Sequence, residues 1–298
     1  MEAHELLQGL GLGSINVHGN LAFMKVYGEN RFQEPIITVD QAFERSRTLS
    51  LGFQVRESGN QYRLLVRNEL DDTVFIPGGS VIEGASQNRV VEYPTLLRPQ
   101  TGGVSLQVRC VEQRQGLIEG SQYHGSSTII MPALRTTEQH ETWEEINQAT
   151  RTMGIENHTQ DYVAVAKTRQ IQELADRLGS PDPHQVGYLA AVRHNGAVQF
   201  YADLFGSESL YRALAKKLHQ SVATAARTVP SAKDVVVRSG HFEHLLLNAR
   251  RSALIKKEEV KSDQMLGDVY MIKNPVDGMA LVYRNAPVQV GLKFQQDA

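Results

Sequence analysis

The sequence predicts an α+β protein, with mostly antiparallel sheet in the first half and helices plus a hairpin-helix unit packed on sheet in the second half. Three observations support this class. Residues 62 to 113 alternate apolar and polar side chains with the period of two that strands have. Apolar residues recur at helical spacing from residue 138 onward. Residues 186 to 204 then have the composition of a β-hairpin around Asn195-Gly196.

Apolar spacing, caps and turn residues place the elements along the chain. Expected helices lie near residues 3–9, 39–48, 138–154, 162–178, 207–229 and 240–256. Expected strands lie near residues 15–28, 49–58, 62–67, 73–76, 80–83, 104–112, 186–194, 197–204, 269–272, 279–283 and 288–294. No low-complexity linker separates the two halves, so we expect residues 1–298 to form a single domain. Its two sub-structures would be about 1–135, rich in strands, and 136–298, rich in helices and mixed.

Charge and cysteine content exclude several classes of protein. The net charge of −2 and pI near 6.6 offer no overall attraction to nucleic acid or to an anionic membrane, so we expect neither partner. Cys110 is the one cysteine, which excludes an internal disulfide and fits a reducing compartment. The first residues lack the basic region of a signal peptide, and no apolar run approaches the roughly 18 residues of a membrane span. We predict a cytoplasmic protein.

The strand that ends near residue 112 has a polar end on a buried face. Its even-numbered residues share one face, because successive side chains on a strand point to opposite sides. These residues are Val104, Leu106, Val108, Cys110 and Glu112. Arg109 lies on the opposite face. Glu112 therefore ends a face that is otherwise apolar.

A polar cluster, Glu83, Gln87, Asn88 and Arg89, interrupts the strands of the first half. Such groups are costly to bury unless they hydrogen-bond to one another or to a ligand. The planar guanidinium of Arg89 suits a carboxylate or phosphate, and Glu112 is an expected partner within the chain. Two hypotheses stay open: a site for an anionic small molecule, or a structural ion pair that sets the register of the strands.

Three other residues are weaker candidates for the site. Cys110 would be a nucleophile only beside a cation that lowers its pKa, and on an apolar face a free cysteine is usually inert. His124 lies in the polar segment GSQYHGSST, which is typical of a loop. Asp203 lies where a hairpin strand runs into a helix. No metal site is predicted, since no histidine pair has the HExxH pattern, and the sequence specifies no cofactor.

Four segments, taken in order, resemble a known family: NELDDTVFIPGGSVIEGASQNRVV, VRCVEQ, ETWEEI and ADLFGSESLYRALAKKL. The family is the ARG-and-rhodanese-phosphatase-superfamily-associated protein domain, in which ARG denotes ADP-ribosylglycohydrolase. The likeness runs through nearly the whole chain, and its most specific parts are Gln87-Asn88-Arg89, Cys110-Val111-Glu112 and the run from Ala202 to Phe205. The resemblance implies a setting of ADP-ribose, nucleotide or phosphate metabolism, without a particular reaction.

These observations together predict a pocket that binds or processes a phosphorylated or nucleotide-like small molecule, related to ADP-ribose. Arg89 would bind the anionic group and Gln87 and Asn88 would orient it. Glu83 or Glu112 would act as a general base if burial raises its pKa. The alternative is a non-catalytic module that forms a homo-oligomer or docks on a partner, with the polar cluster as a structural network. Whether the protein is an enzyme stays open.

Overall fold

The computed structural model describes residues 2–47, 52–85, 87–113, 118–135, 137–194, 196–229 and 233–297. It confirms the α+β class. The helices are α1 Ala3–Leu6, α2 Val39–Arg47, α3 Gln139–Met153, α4 Tyr162–Ala166, α5 Arg169–Arg177, α6 Glu208–Arg227 and α7 Ser239–Arg251, with 3-10 turns at Pro132–Leu134 and Glu258–Val260. None of the described helices has both the length and the apolar character needed to cross a membrane.

The strands, in chain order, run from the N-terminal hairpin to the last described residues. They are β1 Gly11–His18, β2 Leu21–Tyr27, β3 Ile36–Thr38, β4 Phe53–Glu57, β5 Arg63–Asn68, β6 Thr73–Ile76, β7 Ser80–Gly84, β8 Arg89–Val91, β9 Thr95–Leu97, β10 Thr101–Cys110, β11 Gln122–Ile129, β12 Gln185–His194, β13 Ala197–Phe205, β14 Ala253–Lys256, β15 Met265–Leu266, β16 Asp268–Lys273, β17 Asp277–Tyr283 and β18 Ala286–Asp297.

The chain divides into two compact units that are interleaved along the sequence. Unit 1 comprises Met1–Gln33, Arg169–Glu259 and Gly267–Ala298, and unit 2 comprises Glu34–Thr168 and Val260–Leu266. The boundary near residue 135 expected from the sequence falls inside unit 2. Strand β2 pairs with β12, so the N-terminal hairpin belongs with the later half of the chain. That the whole chain acts as a single domain stays a prediction.

Unit 1 is built on a large antiparallel sheet. Within the described residues its strand order is β1-β2-β12-β13-β18-β17-β16-β14. Alternate residues of the central strands face opposite layers of helix. On one face Phe200 packs edge-on against Phe242 of α7, with 5.7 Å between ring centroids. On the other face Phe23 packs edge-on against His219 of α6 at 5.1 Å, so helices cover both faces of the central strands.

Unit 2 contains a closed barrel and a small sheet. Among the described strands the barrel runs β10-β5-β4-β11-β7-β8, and the small sheet runs β15-β9-β6-β3. The residues that point into the barrel are mainly aliphatic, and they alternate along each strand with residues that point outward. The buried core they form includes Val55, Leu64, Val66, Ile82, Val91, Val104, Leu106 and Val108.

Several predicted elements are confirmed. Strands β12 and β13 form the expected hairpin, with His194 opposite Ala197; Asn195 of the turn lies outside the described residues. Ser207 caps α6, because its Oγ accepts hydrogen bonds from the backbone N–H groups of Ser209 and Leu210. The helix expected at 39–48 and the strands expected at 62–67, 73–76 and 80–83 are also present, within a residue or two.

Four predicted elements were wrong. The strand expected at 15–28 is a hairpin of two strands, β1 and β2, which pair with His18 opposite Leu21. The helix expected at 162–178 is two helices: α4 ends at Ala166, where Lys167 leaves the helical conformation as its C-cap, and α5 begins at Arg169. The helix expected near 240–256 ends at Arg251, and the chain continues as β14, which pairs with β16. The segment around His124, expected as a loop, is strand β11, which pairs with β4 and β7. In the last two cases pairing with distant strands prevails over the local pattern.

Arg109 is buried although it lies on the outer face of β10. Its guanidinium donates to Thr142 Oγ1 at 2.9 Å and to the carbonyl oxygen of Leu134 at 2.7 Å. Burial lowers the pKa of Arg109, and the Glu92 carboxylate acts in the opposite direction. The arginine thus joins the outer face of the barrel to the segment that enters α3.

Candidate functional site

One end of the barrel interior is polar, and its residues follow from strand parity. Phe53, Val55 and Glu57 point inward from β4, so Glu57 is the last inward residue of that strand. Arg89 begins β8 and lies opposite both Ile82 of β7 and Cys110 of β10. Tyr123 points inward from β11, opposite Val55. We refer to Glu57, Arg89, Cys110 and Tyr123 as the barrel-end cluster.

The barrel-end cluster is tightly bonded. Arg89 Nη2 lies 3.4 Å from Glu57 Oε1, and both side chains are fully buried. Arg89 Nη1 donates to Cys110 Sγ, and the Tyr123 hydroxyl donates to Glu57 Oε1 at 2.6 Å. Gln87 closes the group, since its Oε1 accepts from the Cys110 thiol at 3.5 Å and its carbonyl oxygen lies 3.1 Å from the Tyr123 hydroxyl. The buried cation and carboxylate therefore compensate each other.

Burial and charge set the protonation states in this cluster. Burial alone would lower the pKa of Arg89, but Cys110, Tyr123 and Glu57 outweigh it, so that pKa is raised and the guanidinium stays charged. Burial raises the pKa of the Cys110 thiol, with Arg89 acting in the opposite direction. Burial and the hydrogen bond to Glu57 raise the pKa of Tyr123. Cys110 is therefore a neutral thiol at neutral pH, which makes it a weak nucleophile.

The segment before β8 is held by Asn88. The backbone N–H of Asn88 donates to Glu112 Oε2 at 3.1 Å, and the side-chain Nδ2 of Asn88 donates to Asp161 Oδ1 at 3.1 Å. Asp161 also caps α4 by accepting from the N–H of Val163 at 3.0 Å. The expected pair between Arg89 and Glu112 is not formed: among the described residues the ion-pair partner of Arg89 is Glu57. Strand β10 ends at Cys110, so its alternation does not extend to Glu112.

The structure brings together five of the predicted site residues, Gln87, Asn88, Arg89, Cys110 and Glu112, through direct contacts. Two other candidates on neighbouring strands face away from them. Glu83 follows the inward-facing Ile82 and therefore points outward. Its carboxylate accepts hydrogen bonds from the backbone N–H of Ser127 at 2.7 Å and from Lys167 Nζ at 3.1 Å. His124 is exposed on the outer face of β11.

The pKa of Glu83 is lowered overall. Burial raises it, but the hydrogen bonds from Ser127 and the charge of Lys167 outweigh burial. A carboxylate with a lowered pKa is a weaker general base than the mechanism expected from the sequence requires. Among the described residues, no group of three or more histidine, cysteine or acidic side chains could hold a metal ion.

Asp203 belongs to unit 1, in a second buried polar network beneath α6. It is fully buried and accepts from the Tyr188 hydroxyl at 2.6 Å. In the same layer Gln185 Nε2 donates to the Tyr211 hydroxyl at 2.9 Å, and that hydroxyl lies 2.9 Å from His219 Nε2. Burial lowers the pKa of His219 to about 4. Asp203 therefore contributes to the core of unit 1.

The sequence does not single out Glu57 or Tyr123 as site residues. A signal for Glu57 exists, because Phe53, Val55 and Glu57 alternate with polar residues in the way that also places Cys110 on a buried face. Tyr123 lies in the segment GSQYHGSST, whose composition is typical of a loop, so alternation does not mark it as an inward-facing residue. The ion-pair partner of Arg89 is thus Glu57 on β4, which lies outside the stretch from 62 to 113.

Comparisons with known proteins identify a family. No curated protein sequence matches the chain. Among solved structures, that of an inactive mutant of CurJ dehydratase with a bound compound aligns at 10% identity and a TM-score of 0.14, over 100% of this chain and 98% of that chain; so low a score carries no argument. The family model for the ARG and Rhodanese-Phosphatase-superfamily-associated Protein domain matches residues 9–291. The chain therefore belongs to the ARG and Rhodanese-Phosphatase-superfamily-associated Protein domain family, ARPP-1.

Proposed function

We propose that the barrel end of unit 2 binds a small anionic molecule of phosphorylated or nucleotide-like type, related to ADP-ribose, in the cytoplasm. The observation that carries this proposal is the Nε atom of Arg89, which is buried and has no hydrogen-bond partner among the described residues. Leaving such a donor unsatisfied costs about 1 to 3 kcal/mol, and an acceptor oxygen from a ligand would remove that cost. The family's association with ADP-ribosylglycohydrolase supports the choice of ligand class.

The neighbours of Arg89 have suitable chemistry for such a ligand. Gln87 and Asn88 are partly exposed and lie next to it along the chain, so a ligand would approach past their amides. These amides would orient the ligand, while Glu57 keeps the guanidinium in place. If the molecule is also processed, Glu112 is the carboxylate in position for acid-base chemistry, because it already contacts the backbone of Asn88.

A binding experiment with a conservative variant tests the proposal. Isothermal titration with ADP-ribose, NAD, ribose 5-phosphate and inorganic phosphate should detect saturable binding of at least one of them. Arg89→Lys keeps the charge and removes the guanidinium fork, so it should weaken that binding about tenfold or more. Arg63→Lys, an exposed position on β5, is the matched control and should bind normally. Absence of binding by all four compounds to a folded wild-type protein would contradict the proposal.

Turnover is measured separately from binding. Products are monitored after incubation with each compound that binds, and Glu112→Gln should abolish any turnover while leaving the affinity nearly unchanged. An unchanged rate in this variant would remove Glu112 from the mechanism.

One observation favours a second candidate, the non-catalytic module. The Arg89 guanidinium is already paired with Glu57 inside the barrel, with both side chains fully buried. In that case the cluster only sets the register of the strands, and the protein acts by oligomerising or docking. A Glu57→Leu, Arg89→Met double variant would then fold and retain the oligomeric state of the wild type, measured by light scattering. The ligand proposal requires that the wild type binds at least one of the four compounds and that this variant loses that binding, whereas the module requires that neither protein binds them.

A further inference from the structure

Unit 1 contains a pocket of about 330 Å³ beside the β12–β13 hairpin. Its lining residues are Arg193, Val198, Phe200, Val236, Val237, His241 and Gln296. The pocket exists because α7 covers the large sheet only from its start at Ser239, where Phe242 packs on Phe200. The segment that precedes α7 covers the neighbouring part of the sheet, and in this segment the N–H of Val235 donates to the carbonyl oxygen of Gly19.

The floor of the pocket is a row of side chains on one face of the sheet. Val198 lies directly opposite Arg193 on β12 and opposite Gln296 on β18, so these three side chains share a face. Phe200 lies two residues further along β13, on the same face. The floor is therefore apolar in the middle and has a cationic group on one side and an amide on the other.

The polar groups of this pocket favour a negatively charged ligand. Arg193 donates from Nη1 to the carbonyl oxygen of Asp234 at 3.2 Å, and no carboxylate of the described residues pairs with it. His241 Nδ1 accepts from the N–H of Arg238 at 2.9 Å, so the neutral imidazole carries its proton on Nε2 and can donate. His241 also lies in the first turn of α7, where the helix dipole is positive. Within the described part of unit 1, the guanidinium of Arg193 thus has a backbone carbonyl as partner and forms no ion pair with a carboxylate.

We propose that this pocket binds a small organic acid. Its carboxylate would be held by Arg193 and His241, and an apolar body about one ring in size would lie on Phe200, Val198 and Val236. The volume suits this occupant, since an apolar cavity of roughly 150 Å³ is enough to hold benzene. The remaining space accommodates the carboxylate. This site is independent of the function proposed for unit 2.

Titration with phenylacetate and with its neutral isostere phenylacetamide tests the proposal in the full-length protein. Phenylacetate should bind saturably in calorimetry and in saturation-transfer-difference NMR. Phenylacetamide should bind with an affinity at least about tenfold lower, because it lacks the charge that Arg193 recognises. Arg193→Gln should weaken phenylacetate binding by a similar factor. Val236→Asp, at a residue that is 80% exposed, should weaken phenylacetate binding by adding a negative charge at the pocket wall.

The control is Arg169→Gln, an arginine whose side chain is 90% exposed, which should leave phenylacetate binding unchanged. Each variant is first checked for an unaltered unfolding midpoint in urea. The proposal is overturned if phenylacetate does not bind saturably to the folded wild type. It is also overturned if phenylacetamide binds equally well, or if Arg193→Gln and Val236→Asp bind phenylacetate as the control does.

Discussion

Arg89 and Glu57 form an ion pair across the interior of the barrel, with 3.4 Å between Nη2 and Oε1. The two residues are 32 positions apart in the sequence and belong to strands that are not neighbours in the barrel. The contact therefore joins two sides of the barrel at its polar end. Cys110 and Tyr123 complete the bonding around it.

Breaking this pair should be strongly destabilising, whereas replacing it as a whole should not. Arg89→Ala or Glu57→Ala leaves one buried charge without its partner, so each should lower the free energy of unfolding by about 3 to 5 kcal/mol. The Glu57→Leu, Arg89→Met double variant should recover most of this loss. Urea denaturation measures all three, since urea does not screen charges.

The control for the buried pair is the exposed pair Glu44–Arg47, for which Arg47→Ala should cost less than about 1 kcal/mol. Single variants of the buried pair that unfold at the wild-type midpoint would show that the pair contributes little to stability.

Cys110 should be unreactive in the folded protein. Its pKa is raised by burial, and the residue is only 4% exposed, so the thiolate that reacts with disulfide reagents is scarce and shielded. Labelling with an aromatic disulfide at pH 8 should be slow under native conditions and rapid in urea. Since Cys110 is the one cysteine, the signal reports this site alone. Rapid stoichiometric labelling of the native protein would contradict the burial argument.

Glu83 should stabilise the protein in a pH-dependent way. Its folded-state pKa lies below the ordinary value of 4.5, so its contribution is fully present above pH 4.5 and disappears as the pH falls through the lowered pKa. Glu83→Gln should cost about 1 kcal/mol at pH 7, since it removes the charge that Lys167 and Ser127 bind. The difference from wild type should disappear in acid, and a difference independent of pH would contradict this assignment.

His219 should make unit 1 sensitive to mild acid. Burial, with a smaller effect of Lys25, lowers its pKa from 6.5 to about 4, so between these values the unfolded chain binds a proton that the folded chain does not. Stability should therefore fall as the pH decreases from 6.5 to 4, by on the order of 3 kcal/mol in total.

The His219→Gln variant isolates this effect. Its amide can still bond to the Tyr211 hydroxyl, but it does not titrate, so the pH dependence of its unfolding free energy should be smaller than that of wild type by the same amount. Parallel stability curves for the two proteins would exclude His219 as the source.

The sequence by itself determined the α+β class, most elements and the burial of one strand face. These features depend on spacing within a few residues: the alternation of Val104, Leu106 and Val108, and the cap at Ser207. The segment from Gln87 to Arg89 could be found for the same reason, since polar groups among apolar strands are visible locally.

Only the tertiary structure decided which partners these residues have. Closure of the barrel places Glu57 against Arg89 and points Glu83 outward. Strand β10 ends at Cys110, so Glu112 lies beyond the strand and outside its alternation. Pairing between distant strands likewise makes β11 and β14 strands and brings the N-terminal hairpin to β12. Strand pairing gains its free energy from contacts between segments far apart in the chain, and local spacing carries no information about which distant segment will be the neighbour.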